Sequence, residues 1–210
     1  METYHLDIPI SDEQIKQLHV GDQVFLTGVM VTGRDAAHSY IIDNFVKTEG
    51  QPPEPEAALY KELKKLLQGS AIYHCGPVVH QDEAGKWHFV AAGPTTSIRE
   101  EPYQADVMAH FGIKAVIGKG GMGAKTLQGC ADHNFVYLHA VGGAATLIAD
   151  SVKEVLDVHK KDDFGVPEAF WVIRVKEFPA VVTMDVHGKS IHADVEAASG
   201  KRLAALMERD

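Results

Sequence analysis

Phe89-Val90-Ala91-Ala92-Gly93-Pro94-Thr95-Thr96-Ser97-Ile98-Arg99 and, about twenty residues on, Ala115-Val116-Ile117-Gly118-Lys119-Gly120-Gly121-Met122-Gly123 are built alike: an apolar run delivers the chain into a glycine turn. The first turn carries three hydroxyls and a guanidinium, the second an ammonium. In α/β folds, ligand contacts gather where strands end. Arg offers a planar fork and Lys a point charge, so the two turns together suit an anion.

Working outward toward the N-terminus, Trp87–Ala92 pairs as a hairpin with Val78–His80 across the polar loop Gln81–Lys86, and Ile72–His74 is a further strand. Before it, Gln51-Pro52-Pro53-Glu54-Pro55 breaks regular structure, and Leu59, Leu63, Leu66 and Leu67 repeat as a helix that Gly69 stops. Val24–Val31 is an apolar strand that delivers Thr32-Gly33-Arg34-Asp35 to its end. Ala37, Tyr40, Ile41 and Phe45 then share a helical face, with Asp35 as the expected cap. Tyr4–Ile8 alternates as a short strand, and Ser11 with Gln14 forms a capping-box pattern.

Toward the C-terminus, Val107, Met108 and Phe111 mark a helix ended by Gly112, and Ile113–Ile117 is a strand. Strand, glycine loop and helix then recur in Phe135–Leu138, Gly142-Gly143 and Leu147–Ala149. Trp171–Val175 and Val181–Val186 read as two strands divided at Pro179, His187-Gly188-Lys189 as a turn, and Asp194–Met207 as a closing helix. A β-rich first half and a βαβ rhythm in the second predict one mixed α/β domain over residues 1–210.

Composition narrows what the turns can bind. Twenty basic against 29 acidic residues leave a net charge of −9, which disfavours nucleic acid and anionic membranes, so an anion needs a local positive patch. Met1–Asp7 has neither a basic nor an apolar leader region, and no run of apolar residues is long enough to span a bilayer; a cytoplasmic protein is expected. Cys75 and Cys130 stand far apart without a CxxC, which fits a reducing compartment.

Several motifs compete for the chemistry. Gly118 to Gly123 matches GxGxxG after a strand, yet the next strand ends in Leu138-His139-Ala140 and supplies no acid for a ribose. A P-loop through Lys125-Thr126 lacks glycine at Ala124. His74 and His80, like His133 and His139, are six apart, which is not a helical ligand pair, so no metal site is expected on this chain. Two cysteines are too few for an iron–sulfur cluster. No GxSxG elbow is present. Thr95, Thr96 and Ser97 could simply cap the following helix. Against these stand Arg34, Arg99 and Lys119, three cations each placed just beyond an apolar strand, which together suggest a dicarboxylate or phosphate.

The order Thr32-Gly33-Arg34-Asp35-Ala36-Ala37-His38, Gly93-Pro94-Thr95-Thr96-Ser97-Ile98-Arg99, Lys119-Gly120-Gly121-Met122, Gly142-Gly143-Ala144-Ala145 resembles the β subunit, or C-terminal domain, of class I iron–sulfur fumarases and the related β subunit of L(+)-tartrate dehydratase. The resemblance runs from about Gly21 to Gly188. It implies a swivelling β/β/α domain and reversible dehydration of L-malate to fumarate, with L(+)-tartrate as the alternative substrate. A free-standing anion- or nucleotide-binding domain is the competing class. The resemblance also implies a [4Fe-4S] cluster whose ligands lie on a partner α subunit, in a hetero-oligomer such as α2β2, so that this chain alone is inactive. By the same resemblance Arg34, Arg99 and Lys119 hold substrate carboxylates and Thr95 takes part in proton transfer. The segment from Gln51 to Leu67 is longer than expected for the one-chain fumarases and reads as an extra helix at a subunit surface.

Overall fold

The computed structural model describes residues 1–208. In chain order the elements are β1 (Thr3–Asp7), α1 (Asp12–Gln17), β2 (Gln23–Thr32), α2 (Asp35–Ile41), which continues as a π turn over Ile42–Val46, and α3 (Ala57–Leu67). There follow β3 (Ala71–Tyr73), β4 (Val78–Gln81), β5 (Trp87–Ala91), a 3-10 turn (Ser97–Glu100), α4 (Gln104–Phe111), β6 (Ala115–Gly118), α5 (Ala124–His133) and β7 (Val136–His139). The chain closes with α6 (Ala145–Ala149), β8 (Val152–His159), α7 (Lys161–Phe164), β9 (Phe170–Met184) and α8 (Ile191–Met207).

Strand order β1-β2-β3-β6-β7-β9-β8 closes on itself because β9 also pairs with β2, so β2, β3, β6, β7 and β9 form a small barrel flanked by β1 and β8. The pairs β1–β2, β2–β3, β3–β6 and β6–β7 are parallel and are joined by helical crossovers; β9 runs antiparallel to β2, β7 and β8. Side chains alternate across the pleat. Val24, Leu26 and Met30 of β2, Ile117 of β6, Leu138 of β7 and Trp171 and Ile173 of β9 fill the barrel interior. The opposite parity, with Val31, Ile72, Val116, Tyr137 and Val172, packs outward under α2, α3, α4 and α5. The domain is thus mixed α/β, as the sequence indicates.

Local signals are realised closely. Ser11 and Gln14 form a reciprocal capping box, and Gly112 closes α4 in the left-handed region at φ 70°. Asp35, however, does not cap α2. Arg34 occupies the cap position with no side-chain bond, and the Asp35 carboxylate pairs with Arg99 instead. The two strands expected around Pro179 are one continuous β9. It survives proline because β8 pairs with β9 only as far as Val175 and β7 only from Val181, so at Pro179 just β2 lies alongside. A bulge at Glu177, with φ 53°, resets the parity from Val175 to Phe178. β8 escaped the sequence reading, since its register breaks twice against β9 and its alternation with it. The segment before β3 is the expected helix, α3, and it packs on the core through buried Leu63 and Leu67. Among the described residues no helix is long and apolar enough to cross a membrane.

Candidate active site

The parallel strands β2, β3 and β6 end side by side, with Thr32 in register with Tyr73 and Tyr73 with Ile117. The 93–99 turn is laid across these ends by main-chain bonds: Thr95 N donates to His74 O (2.7 Å), Lys119 N to Thr95 O (3.1 Å) and Ser97 N to Lys119 O (2.9 Å). Tyr73, inside the barrel, donates its hydroxyl to Ala92 O (2.5 Å) and anchors the turn from below. Thr95 and Lys119, both half-buried, are therefore neighbours on adjoining loops. Gly142, one loop further, lies beside the Lys119 stem, 3.7 Å from where its own Cβ would stand.

Arg34 and Arg99 meet through Asp35. Arg99 Nη2 lies 2.5 Å from Asp35 Oδ2, one residue from Arg34. Arg34 itself threads between the 165–169 loop and Gly76: Nη2 is 3.3 Å from Glu168 Oε1, and a Cβ on Gly76 would meet Arg34 Nη1 and the Pro167 carbonyl. Glu168 also accepts from Ala36 N through Oε2 (3.1 Å), so one carboxylate holds the arginine and the start of α2 together. The Arg34 guanidinium is 19% exposed, whereas Arg99 is 57% exposed, so one cation is fixed and the other reaches outward. The four residues singled out in the sequence, Arg34, Thr95, Arg99 and Lys119, thus gather at one end of the barrel.

Beneath them lies a buried polar layer that the sequence reading did not recognise. His74 bonds Ser97 Oγ through Nδ1 and Gln104 Oε1 through Nε2, both at 2.8 Å, and Tyr137 donates its hydroxyl to Ser97 Oγ (2.9 Å). Ser97 therefore turns inward and caps nothing. His38 packs edge-on against His74 at 5.1 Å and donates from Nδ1 to the Arg34 carbonyl (2.9 Å). Burial pushes His38 down to about 4 and His74 well below the usual histidine range, with the neighbouring His38 adding to the latter. Glu100 is fully buried, and neither of its carboxylate oxygens has a hydrogen-bond partner among the described residues. Burial and then the Asp35 charge push its carboxyl up to about 8, with its own main-chain N–H first and then Arg99 and Arg34 pulling the other way.

The glycine loop makes no phosphate cradle. The Glu101 carboxylate accepts from Gly123 N (2.8 Å), Lys125 N (3.0 Å) and Thr126 N (3.2 Å), and from Thr126 Oγ1 (2.6 Å), filling the N-terminus of α5 where a phosphate would sit. The histidine pairs also separate, for His74 is in the core while His80 is exposed on β4. Among the described residues one His/Asp/Glu group is close enough to share a metal ion, Glu62, Asp157 and His159 on α3 and β8, and it includes none of the site residues. Cys75 and Cys130 are both buried, one inside the barrel and one under the helices, so this chain's donors do not fit an iron–sulfur cluster, which takes three or four thiolates.

The family model described as Fumarase C-terminus matches residues 1–195. The chain is 50% identical over 203 residues to a Geobacillus stearothermophilus protein named "Putative fumarate hydratase class I", covering 97% of this chain and 36% of that protein. It is 36% identical over 204 residues to the L(+)-tartrate dehydratase subunit beta of Escherichia coli K12, covering 97% of this chain and 93% of that subunit. The chain therefore spans about a third of the one relative and nearly all of the other.

Proposed function

The chain belongs to the Fumarase C-terminus family, and on that premise we propose that it is the β subunit of a two-chain hydro-lyase, clamping the carboxylates of L-malate and fumarate during their interconversion. The observation that carries this reading is the placement of Arg34 and Lys119 at the ends of β2 and β6 and of Arg99 on the 3-10 turn that follows Thr95, with Arg99 paired to Asp35 beside Arg34 and Lys119 N bonded to the Thr95 carbonyl.

The chemistry needs such a set. Removing a proton from carbon beside a carboxylate builds negative charge on that carboxylate, and fixed cationic donors stabilise the developing charge more than they stabilise the resting substrate. Arg34, fixed by Glu168, suits one carboxylate as a bidentate fork. Arg99, now paired with Asp35, and Lys119 suit the other. Thr95, whose main chain is bonded to Lys119, serves in proton transfer; a neutral hydroxyl is a weak base, so an acid of the partner chain completes it.

A [4Fe-4S] cluster would supply the Lewis acid that loosens the substrate hydroxyl, and since this chain's thiols do not fit one, its ligands belong to an α subunit. The portion of the Geobacillus relative outside the match has the size for such a partner, and the Escherichia coli relative is itself named as a subunit beta, which supports the two-chain arrangement. The 36% identity to that subunit makes tartrate dehydration the second reading.

Anaerobic co-purification with the α chain, followed by assay of L-malate and L(+)-tartrate, tests the proposal. Fumarate formation that needs both chains and is lost in Arg99→Ala is the expected result. Turnover of tartrate alone would move the substrate to the second reading. Unchanged turnover in Arg99→Ala would remove the clamp.

A further inference from the structure

Ser97 occupies an unusual place. β3, β6 and β7 are adjacent, with Ile72, Val116 and Tyr137 in one row and Tyr73, Ile117 and Leu138 in the next. Gly118 ends the middle strand and has no side chain. A Cβ there would overlap the Ser97 hydroxyl, which fills that slot and reaches sideways to both neighbouring strands, to His74 Nδ1 beyond β3 (2.8 Å) and to the Tyr137 hydroxyl on β7 (2.9 Å).

The hydrogens follow one consistent direction. In the orientation the Gln104 amide takes here, Oε1 accepts from His74 Nε2–H and His74 Nδ1 is left as an acceptor, while Gln104 Nε2 has no partner among the described residues. Ser97 then donates to His74, and Tyr137 donates to Ser97. The relay is fully buried, since Ser97, His74, Gln104 and Tyr137 are each 0% exposed.

We propose that Ser97 is a positioning residue: by locking its hydroxyl between His74 and Tyr137 over Gly118, it sets the separation and orientation of Thr95, Arg99 and Lys119. This rests on the reading of those cations as a carboxylate clamp. Ser97 lies two residues from both Thr95 and Arg99, and its main-chain N–H holds the carbonyl of Lys119 itself (2.9 Å). Movement at Ser97 is thus transmitted to all three. The buried relay also explains the side chain: a buried hydroxyl with two partners resists displacement, because moving it leaves His74 Nδ1 and the Tyr137 hydroxyl unsatisfied.

The test uses the assembled two-chain enzyme carrying Ser97→Ala, Tyr137→Phe or both, with kcat and KM for L-malate measured per folded enzyme alongside thermal unfolding. Displacement of reacting groups by even about 1 Å costs up to about a hundredfold. The expected result is a kcat about 10- to 100-fold lower in Ser97→Ala with KM changed less than about threefold, since the clamp acts on the transition state. Tyr137→Phe, which leaves Ser97 bonded to His74, lowers kcat less, and the double variant is no worse than Ser97→Ala. If Ser97→Ala fails to assemble, the milder Tyr137→Phe carries the test by the same split. A lower unfolding temperature with unchanged kcat would make the relay merely structural and overturn the proposal. Full turnover in Arg99→Ala and Lys119→Ala would instead overturn the clamp. If those two abolish turnover while Ser97→Ala and Tyr137→Phe keep wild-type kcat, the clamp stands and the positioning role falls.

Discussion

Replacing Glu100 by glutamine should stabilise this protein, and increasingly so as pH rises. Glu100 is fully buried and both of its oxygens lack partners among the described residues. The groups that face it are Asp35, which opposes its ionisation, Arg99 and Arg34, which favour it, and His74, whose Nδ1 lies 3.9 Å from Oε2. The balance leaves the folded carboxyl titrating at about 8 against 4.5 for the free side chain. A raised folded value means that the native state holds this proton after the unfolded chain has released it. The wild type therefore has its full stability below about pH 4.5 and loses about 1.4 kcal/mol per pH unit from this group until about pH 8, where the loss levels off. The total is on the order of 5 kcal/mol, reduced by whatever water enters to solvate the charge. Gln cannot ionise and lacks the slope. Urea unfolding of both proteins at about pH 5.5, 7 and 8.5 measures the difference directly, because all other titrating groups are shared and cancel. The midpoint gap should widen in favour of Glu100→Gln across this range with equal m-values. Parallel curves would refute the reasoning, since they would mean that Glu100 titrates alike in the folded and unfolded states.

Three further outcomes follow from neighbouring features. Glu168→Ala removes the carboxylate that holds Arg34, so kcat for the dicarboxylate should fall about tenfold in steady-state assays with KM changed less, on the scale of a charge-assisted bond lost in the transition state. Leu63→Ala empties a fully buried position on α3 and should cost about 2–5 kcal/mol in denaturant unfolding while leaving turnover per folded enzyme unchanged. The thiols of Cys75 and Cys130 are both buried, and burial pushes Cys75 up to about 12 and Cys130 higher still, so a disulfide reagent at about pH 8 should count no fast thiol in the native chain and two after unfolding.

What the sequence disclosed and what it hid divide along a physical line. Features encoded within a few residues were legible: the Ser11–Gln14 box, the left-handed Gly112, and the apolar runs that end in Arg34, Thr95 and Lys119. The cations could be found singly because a charge next to a glycine turn is a local pattern. Closure of the barrel was not legible, since the pairing of β2 with β9 joins Gln23 to Val181 and no local propensity specifies a partner so distant. Nor was the continuity of β9, because tolerance of Pro179 depends on what lies beside it and not on what precedes it. The polar layer is the sharpest case. His74, Ser97 and Gln104 look like unremarkable polar residues along the chain, yet their bonds span 23 and 30 positions and close only when the three strand ends are brought level. Asp35 was misjudged for the same reason. A capping role was the local reading, and the actual partner, Arg99, arrives from across the site. The residues expected to touch substrate were readable because each lies in or next to a glycine turn, a pattern written within a few residues. Those that hold them there were unreadable because burial, which gives them their fixed geometry and shifted protonation, is itself a product of the completed fold.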